Sequence, residues 1–139
     1  MLDVKKLLAN ILTSASKPLA SSVGAVSSLH NCTGTVSHNQ IVFTGLESGL
    51  WFVQGRFNIN SYVRTGANPG VVITLPSFVP TPTKSNKYIV GYRGQSPREY
   101  VDIALTSGSR NVTFATTESF TNAGDGTLTF IVNGIITLN

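Results

Sequence analysis

Six side chains could serve as carboxylate acids or bases: Asp3, Glu47, Glu99, Asp102, Glu118 and Asp125. Only Glu99 and Asp102 are close in sequence, and their odd spacing on a strand sends them to opposite faces. The paired carboxylates of glycoside hydrolysis are therefore not expected, and no catalytic residue is assigned. His30, Cys32 and His38 form the next set. On a strand His30 and Cys32 would share a face, and His38 could return after a turn at Gly34. A zinc site needs four protein ligands, or three and a water, and no fourth ligand is local. The three read as two polar edge histidines and a buried thiol. Neither a metal nor a cofactor is expected, because residues 66–70 and 124–126 lack the helix and lysine that make a glycine loop hold phosphate.

Saccharide binding fits the remaining polar residues better. Sugars are held by aromatic faces and planar polar side chains, with few charges. Tyr62 and Arg64 fall on the polar phase of one alternating segment, Tyr88 and Tyr92 are expected to share a face, and Tyr100 faces out if Val101 faces in. These five are the candidate glycan-binding residues. The competing use of the tyrosines is at subunit interfaces, where an apolar ring with a polar tip is favoured. Trp51 and Phe52 read as core.

The composition limits what can position these groups. A chain of 139 residues fits one domain. Charged residues make up 12%, about half the usual share, so Ser, Thr, Asn, Gln and Gly must supply the polar surface. The net charge of +4 comes from ten basic residues spread along the chain rather than gathered on one element, so nucleic acid is not an expected partner. One cysteine excludes an intrachain disulfide. No segment approaches the ~20 apolar residues of a membrane-spanning helix. The start of the chain has lysines before a short apolar run, but Asp3 and Asn10 spoil a signal-peptide pattern.

Hydrophobic periodicity gives one helix and many strands. Val4, Leu7, Leu8, Ile11 and Leu12 lie on one face of a helix over residues 3–13, with Asp3 able to cap it. So short a helix must pack on something, and copies from neighbouring subunits are favoured over the chain's own β domain. Residues 14–28, rich in Ser, Ala and Gly, read as a linker or extended arm. The expected organisation is thus an assembly segment over 1–26 and a β domain over 27–139. Strands are expected near 34–37, 40–46, 50–62, 71–75, 87–93, 100–106, 111–116 and 127–138, from alternation such as Val101, Ile103, Leu105 against Tyr100, Asp102, Ala104. Ser107-Gly108-Ser109 reads as a tight hairpin, and Pro76, Pro80, Pro82 and Pro97 fall between strands. Asn133-Gly134 is a two-residue hairpin signal, or else a bulge in one long last strand; spacing alone favours the hairpin.

From Gly55 onward the order of elements resembles the small β-sandwich modules of phage tail fibres and baseplate receptor-binding proteins. The similar stretches are Gly55-Arg56-Phe57-Asn58-Ile59, Val71-Val72-Ile73-Thr74-Leu75-Pro76 with Pro80, Val101 to Gly108, Val112-Thr113-Phe114, and Leu128 to Ile136. The resemblance covers roughly residues 40–139 and is one of pattern. The last strand lacks a tryptophan often found there, and residues 14–38 match no part of it. It implies the bulged last strand and a homotrimer, joined to other virion proteins through the N-terminal helix. Together these features give an all-β chain, an antiparallel β-sandwich (jelly-roll-like) with a short N-terminal α-helix and linker arm. The expected role is a non-enzymatic virion subunit, made in the bacterial host cytoplasm, that recognises cell-surface saccharide. A chain this short that starts at Met implies a compact appendage of a tail tip or capsid. The alternatives are a capsid head-fibre or decoration protein without a ligand, and a secreted bacterial lectin or adhesin.

Overall fold

A computed structural model describes residues 3–6, 20–95, 99–117 and 126–139. The chain forms an all-β, nearly closed antiparallel sheet of sandwich, jelly-roll-like topology behind a short N-terminal helical turn. Its strands are β1 (Ala20–His30), β2 (Cys32–Gly45), β3 (Leu50–Arg64), β4 (Gly70–Thr74), β5 (Asn86–Arg93), β6 (Tyr100–Leu105), β7 (Asn111–Thr116) and β8 (Gly126–Thr137). They close in the order β1-β2-β3-β8-β5-β6-β7-β4. β5, β6 and β7 form a meander, and β4 returns beside β7 to complete a Greek key.

Alternation builds the core. Phe57 of β3, Phe114 of β7 and Phe130 of β8 are fully buried and meet edge to face, with ring centroids 4.8 Å apart for Phe57–Phe130 and 6.2 Å for Phe57–Phe114. Burying such a ring contributes about 1.5–3 kcal/mol, and each aromatic pair adds about 0.5–1.5 kcal/mol. Ile41, Phe43, Ile59, Ile73, Ile103 and Leu128 fill the space around them. Trp51 joins the core as expected, whereas its neighbour Phe52 lies on the opposite phase and is half-buried.

Three expectations about elements are corrected. Residues 20–28 are not an arm. Ala20–Gly24 pair with Ile41–Gly45 of β2, and Ala25–His30 pair with Gly70–Thr74 of β4, so the division expected at 26/27 cuts through β1. The low hydrophobicity of this stretch hid a strand that pairs with both β2 and β4 to close the sheet. The strands expected at 34–37 and 40–46 are one strand, β2, interrupted by a register shift between Ser37 and Gln40 where His38 takes a positive φ of 53°. Asn133-Gly134 is neither hairpin nor bulge: β8 runs straight past it, in unbroken register with β3 from Leu50↔Thr137 to Asn60↔Thr127. Gly134 is there for space, since a Cβ would sit 3.0 Å from Val90 across the interior. The Ser107–Ser109 hairpin is present, with Gly108 at φ 77° and Ser109 N–H bonded to the Thr106 carbonyl at 3.0 Å.

At the N-terminus residues 4–6 are helical, and the Asp3 carboxylate accepts the Lys6 N–H at 3.2 Å, the expected cap. Val4 is exposed; Leu7, Leu8, Ile11 and Leu12 lie outside the described residues.

Candidate functional site

The polar chemistry gathers at one end of the sheet, where β1, β3, β5 and β7 finish and β2, β4, β6 and β8 begin. Strand bulges determine which side chains face where. In β3 the register shifts between Asn60 and Tyr62, with Ser61 at φ 51°. This extra residue inverts the alternation, so Tyr62 turns inward and is 2% exposed, against the expectation that it faces water. Arg64 follows it onto the inner phase opposite Cys32 and donates from Nε to the Gly66 carbonyl at 2.9 Å. In β5 the shift between Ile89 and Gly91 separates Tyr88 from Tyr92. Tyr88 lies opposite buried Ile103, packs against the core and accepts a hydrogen bond from Asn86, 3.0 Å away. Tyr92 points out and pairs with Tyr100, which is 64% exposed. Of the five expected glycan residues, the structure brings together on the outer face only Tyr92 and Tyr100.

Behind these two strands lies a buried polar group. Arg93 is fully buried, and Glu99, Tyr62 and Thr116 are nearly so. The Arg93 N–H bonds to the Glu99 carbonyl at 2.8 Å, pinning the ends of β5 and β6. Burial, helped by Cys32, pushes the Tyr62 phenol up to about 12, while Arg64 and Arg93 pull against it. Cys32 is buried with its thiol donating to the Gly70 carbonyl at 3.5 Å, and burial raises its pKa. These groups are sealed from solvent, so they hold the end of the sheet rather than meet a ligand.

On the outer wall at the same end is an open cleft of about 460 Å³. Its floor is Asp102 and Ala104 of β6 with Thr113 and Ala115 of β7, set side by side by the pairs Asp102↔Ala115 and Ala104↔Thr113. The depression exists because its neighbours are small. Its rim is His30-Asn31, Ala67-Asn68, Lys87 and Thr116-Thr117. The rim is fixed by its own hydrogen bonds. Asn31 donates from Nδ2 to the Ala67 carbonyl, and Asn68 donates from Nδ2 to the Thr116 carbonyl at 2.9 Å. The Thr117 hydroxyl donates to the Tyr100 carbonyl at 3.4 Å. Burial raises the pKa of Asp102, and Lys87 opposes that shift. Tyr100, two residues before Asp102 on the same outer face, stands next to the cleft.

The expected opposition of Glu99 and Asp102 holds: one is buried behind the sheet, the other lies in the cleft. His30, Cys32 and His38 do not converge. His30 is on the cleft rim, Cys32 is inside, and His38 lies with Nδ1 3.5 Å from Asn58 Nδ2 on a different wall. Among the described residues no three His, Cys, Asp or Glu side chains are grouped to hold a metal ion. Sequence reasoning weighed Asp102 only as a catalytic acid and passed over Asn31, Asn68 and Lys87. The alternation Tyr100, Asp102, Ala104 already placed a ring, a carboxylate and a small residue on one outer face. Compared with protein family models, with curated proteins and with solved structures, the chain matches none.

Proposed function

We propose that this chain is a non-enzymatic adhesion module of a bacteriophage particle, a homotrimeric tail-tip or fibre subunit that holds a cell-surface saccharide in the cleft beside Tyr100. The observation that carries the reading is the cleft itself: a polar recess on the sheet, with exposed Tyr100 two residues before Asp102 of its floor on the same strand. Its volume falls within the roughly 300–1,000 Å³ of small-molecule sites. Its side chains offer several hydrogen-bonding groups and little net charge, which suits a neutral polyhydroxylated ligand. Binding to a panel of bacterial surface glycans tests it: the full chain captures at least one of them, and Tyr100→Ala weakens the capture. A chain that binds none of the panel overturns the reading.

A second use of the outer wall has its own support. Tyr92 lies opposite Ile131 of β8, and Ile89 and Ile135 on the same outer phase are 65% and 55% exposed. Such exposed apolar residues on one wall mark an association surface, so the wall next to the cleft serves assembly while the cleft serves the ligand. In this arrangement Tyr92 belongs to the contact between copies and Tyr100 to the saccharide.

A further inference from the structure

We infer that Asp102 anchors a neutral saccharide unit by accepting hydrogen bonds from vicinal hydroxyls, and that the cleft thereby selects neutral over anionic glycans. This rests on the adhesion reading and specifies its ligand.

The inference follows from the balance of donors and acceptors. Asn31 and Asn68 each commit one amide N–H to a backbone carbonyl and keep Oδ1 as an acceptor. Thr117 commits its hydroxyl hydrogen to the Tyr100 carbonyl and likewise keeps acceptor capacity. Asp102 is acceptor-only when ionised, and Ala104 and Ala115 beside it have nothing to donate. The cleft therefore sets a carboxylate and two amide oxygens as acceptors beside the donors of Lys87 and Thr113, and its complement is a ligand whose O–H groups both donate and accept. Two adjacent hydroxyls match the two oxygens of one carboxylate, and bonds to an ionised acceptor are roughly twice as strong as neutral ones. Tyr100 supplies the apolar face that a sugar ring needs. An anionic sugar would bring a second negative charge beside a half-buried carboxylate, and Lys87 on the rim is the one lysine or arginine among the cleft residues.

The location of Asp102 supports the same assignment. Burial disfavours its charge, and Lys87 compensates only in part. A carboxyl whose pKa is raised by burial within a cleft is a candidate functional group.

The test is chemical-shift titration of the full chain with methyl glycosides of mannose, galactose and glucose, and with sialyllactose, comparing the unaltered protein with Asp102→Asn. At least one neutral glycoside is expected to bind at millimolar strength, shifting amides of Ala104, Thr113 and Thr117, with sialyllactose binding at least tenfold more weakly. Asp102→Asn is expected to lose tenfold or more in affinity while melting no lower than the parent, which separates lost binding from lost folding. Unchanged affinity in Asp102→Asn, or a preference for sialyllactose, overturns the inference and leaves the adhesion reading standing. No binding of any sugar overturns both.

Discussion

At the scale of the residue, two titrations have opposite relations to function. Asp102 has a folded pKa above its unfolded value of about 3.9. The folded state then holds the proton more tightly, so stability falls as pH rises through the window between those values, and the full cost is present at neutral pH. Asp102→Asn removes that cost. The variant is expected to be more stable than the parent in urea unfolding at pH 7, with the difference closing as pH falls below about 4. A variant less stable at pH 7 would make Asp102 a structural group. Tyr62 obeys the same sign rule at the alkaline end. Its folded pKa of about 12 lies above the ordinary value of about 10, so stability is lost as pH rises between them. Tyr62→Phe is expected to flatten that loss when unfolding midpoints are compared at pH 9 and pH 11.5. Cys32 behaves as the small buried hydrophobe its surroundings predicted, so a thiol reagent should label it slowly in the native protein and at once in denaturant.

At the scale of the element, the sequence reading followed the regular alternation of β6 and β7 and was defeated by the bulge in β3. β6 and β7 keep a strict period of two, and their inward Val101, Ile103, Leu105, Val112 and Phe114 could be named from the sequence alone. In β3 the segment Val53 to Ile59 could be read in the same way, but a single extra residue at Ser61 inverted everything after it. No local signal announces that bulge, because serine is not the residue expected at positive φ. β1 failed for another reason: its side chains carry little pattern, and only its partners β2 and β4 make it a strand. The cleft was half legible for the same cause, since its floor lies on regular β6 and β7 while its rim comes from turns at Asn31 and Asn68. The seam between β5 and β8 is where an element-scale prediction is sharpest. Among the described residues the seam has three register pairs, Gly91, Tyr92 and Arg93 with Val132, Ile131 and Phe130, and a Cβ on Gly91 would collide with the Ile131 carbonyl. Gly91→Ala is expected to cost about 3 kcal/mol and to speed amide exchange at Tyr92 and Ile131 ahead of the core. Uniform exchange across all strands would show that the seam opens only with global unfolding.

At the scale of the whole molecule, the boundary of the folded unit decides how assembly can be examined. An assembly segment ending at residue 26 would take Ala20–Gly24 with it, and with them all five residue pairs between β1 and β2. The sheet would then open along β2, whose first half, Cys32–Ser37, already pairs only with β3. A chain beginning at Ser27 is therefore expected to fail to fold cooperatively, with an edge strand prone to pair with other chains. A chain beginning at Leu19 keeps every described strand and removes the segment whose Val4, Leu7, Leu8, Ile11 and Leu12 were expected to join the subunits. Light scattering on a sizing column then separates the two possible sources of assembly. If the N-terminal helix holds a trimer, the chain from Leu19 elutes as a folded monomer. If the outer wall holds it, that chain remains a trimer, and Ile89→Lys with Ile135→Lys dissociates it without lowering its melting temperature, because both side chains are exposed in the subunit. A full-length protein of monomeric mass at working concentrations would remove the trimer from the proposal, and the cleft would then have to bind its saccharide without the gain in avidity that three linked sites provide.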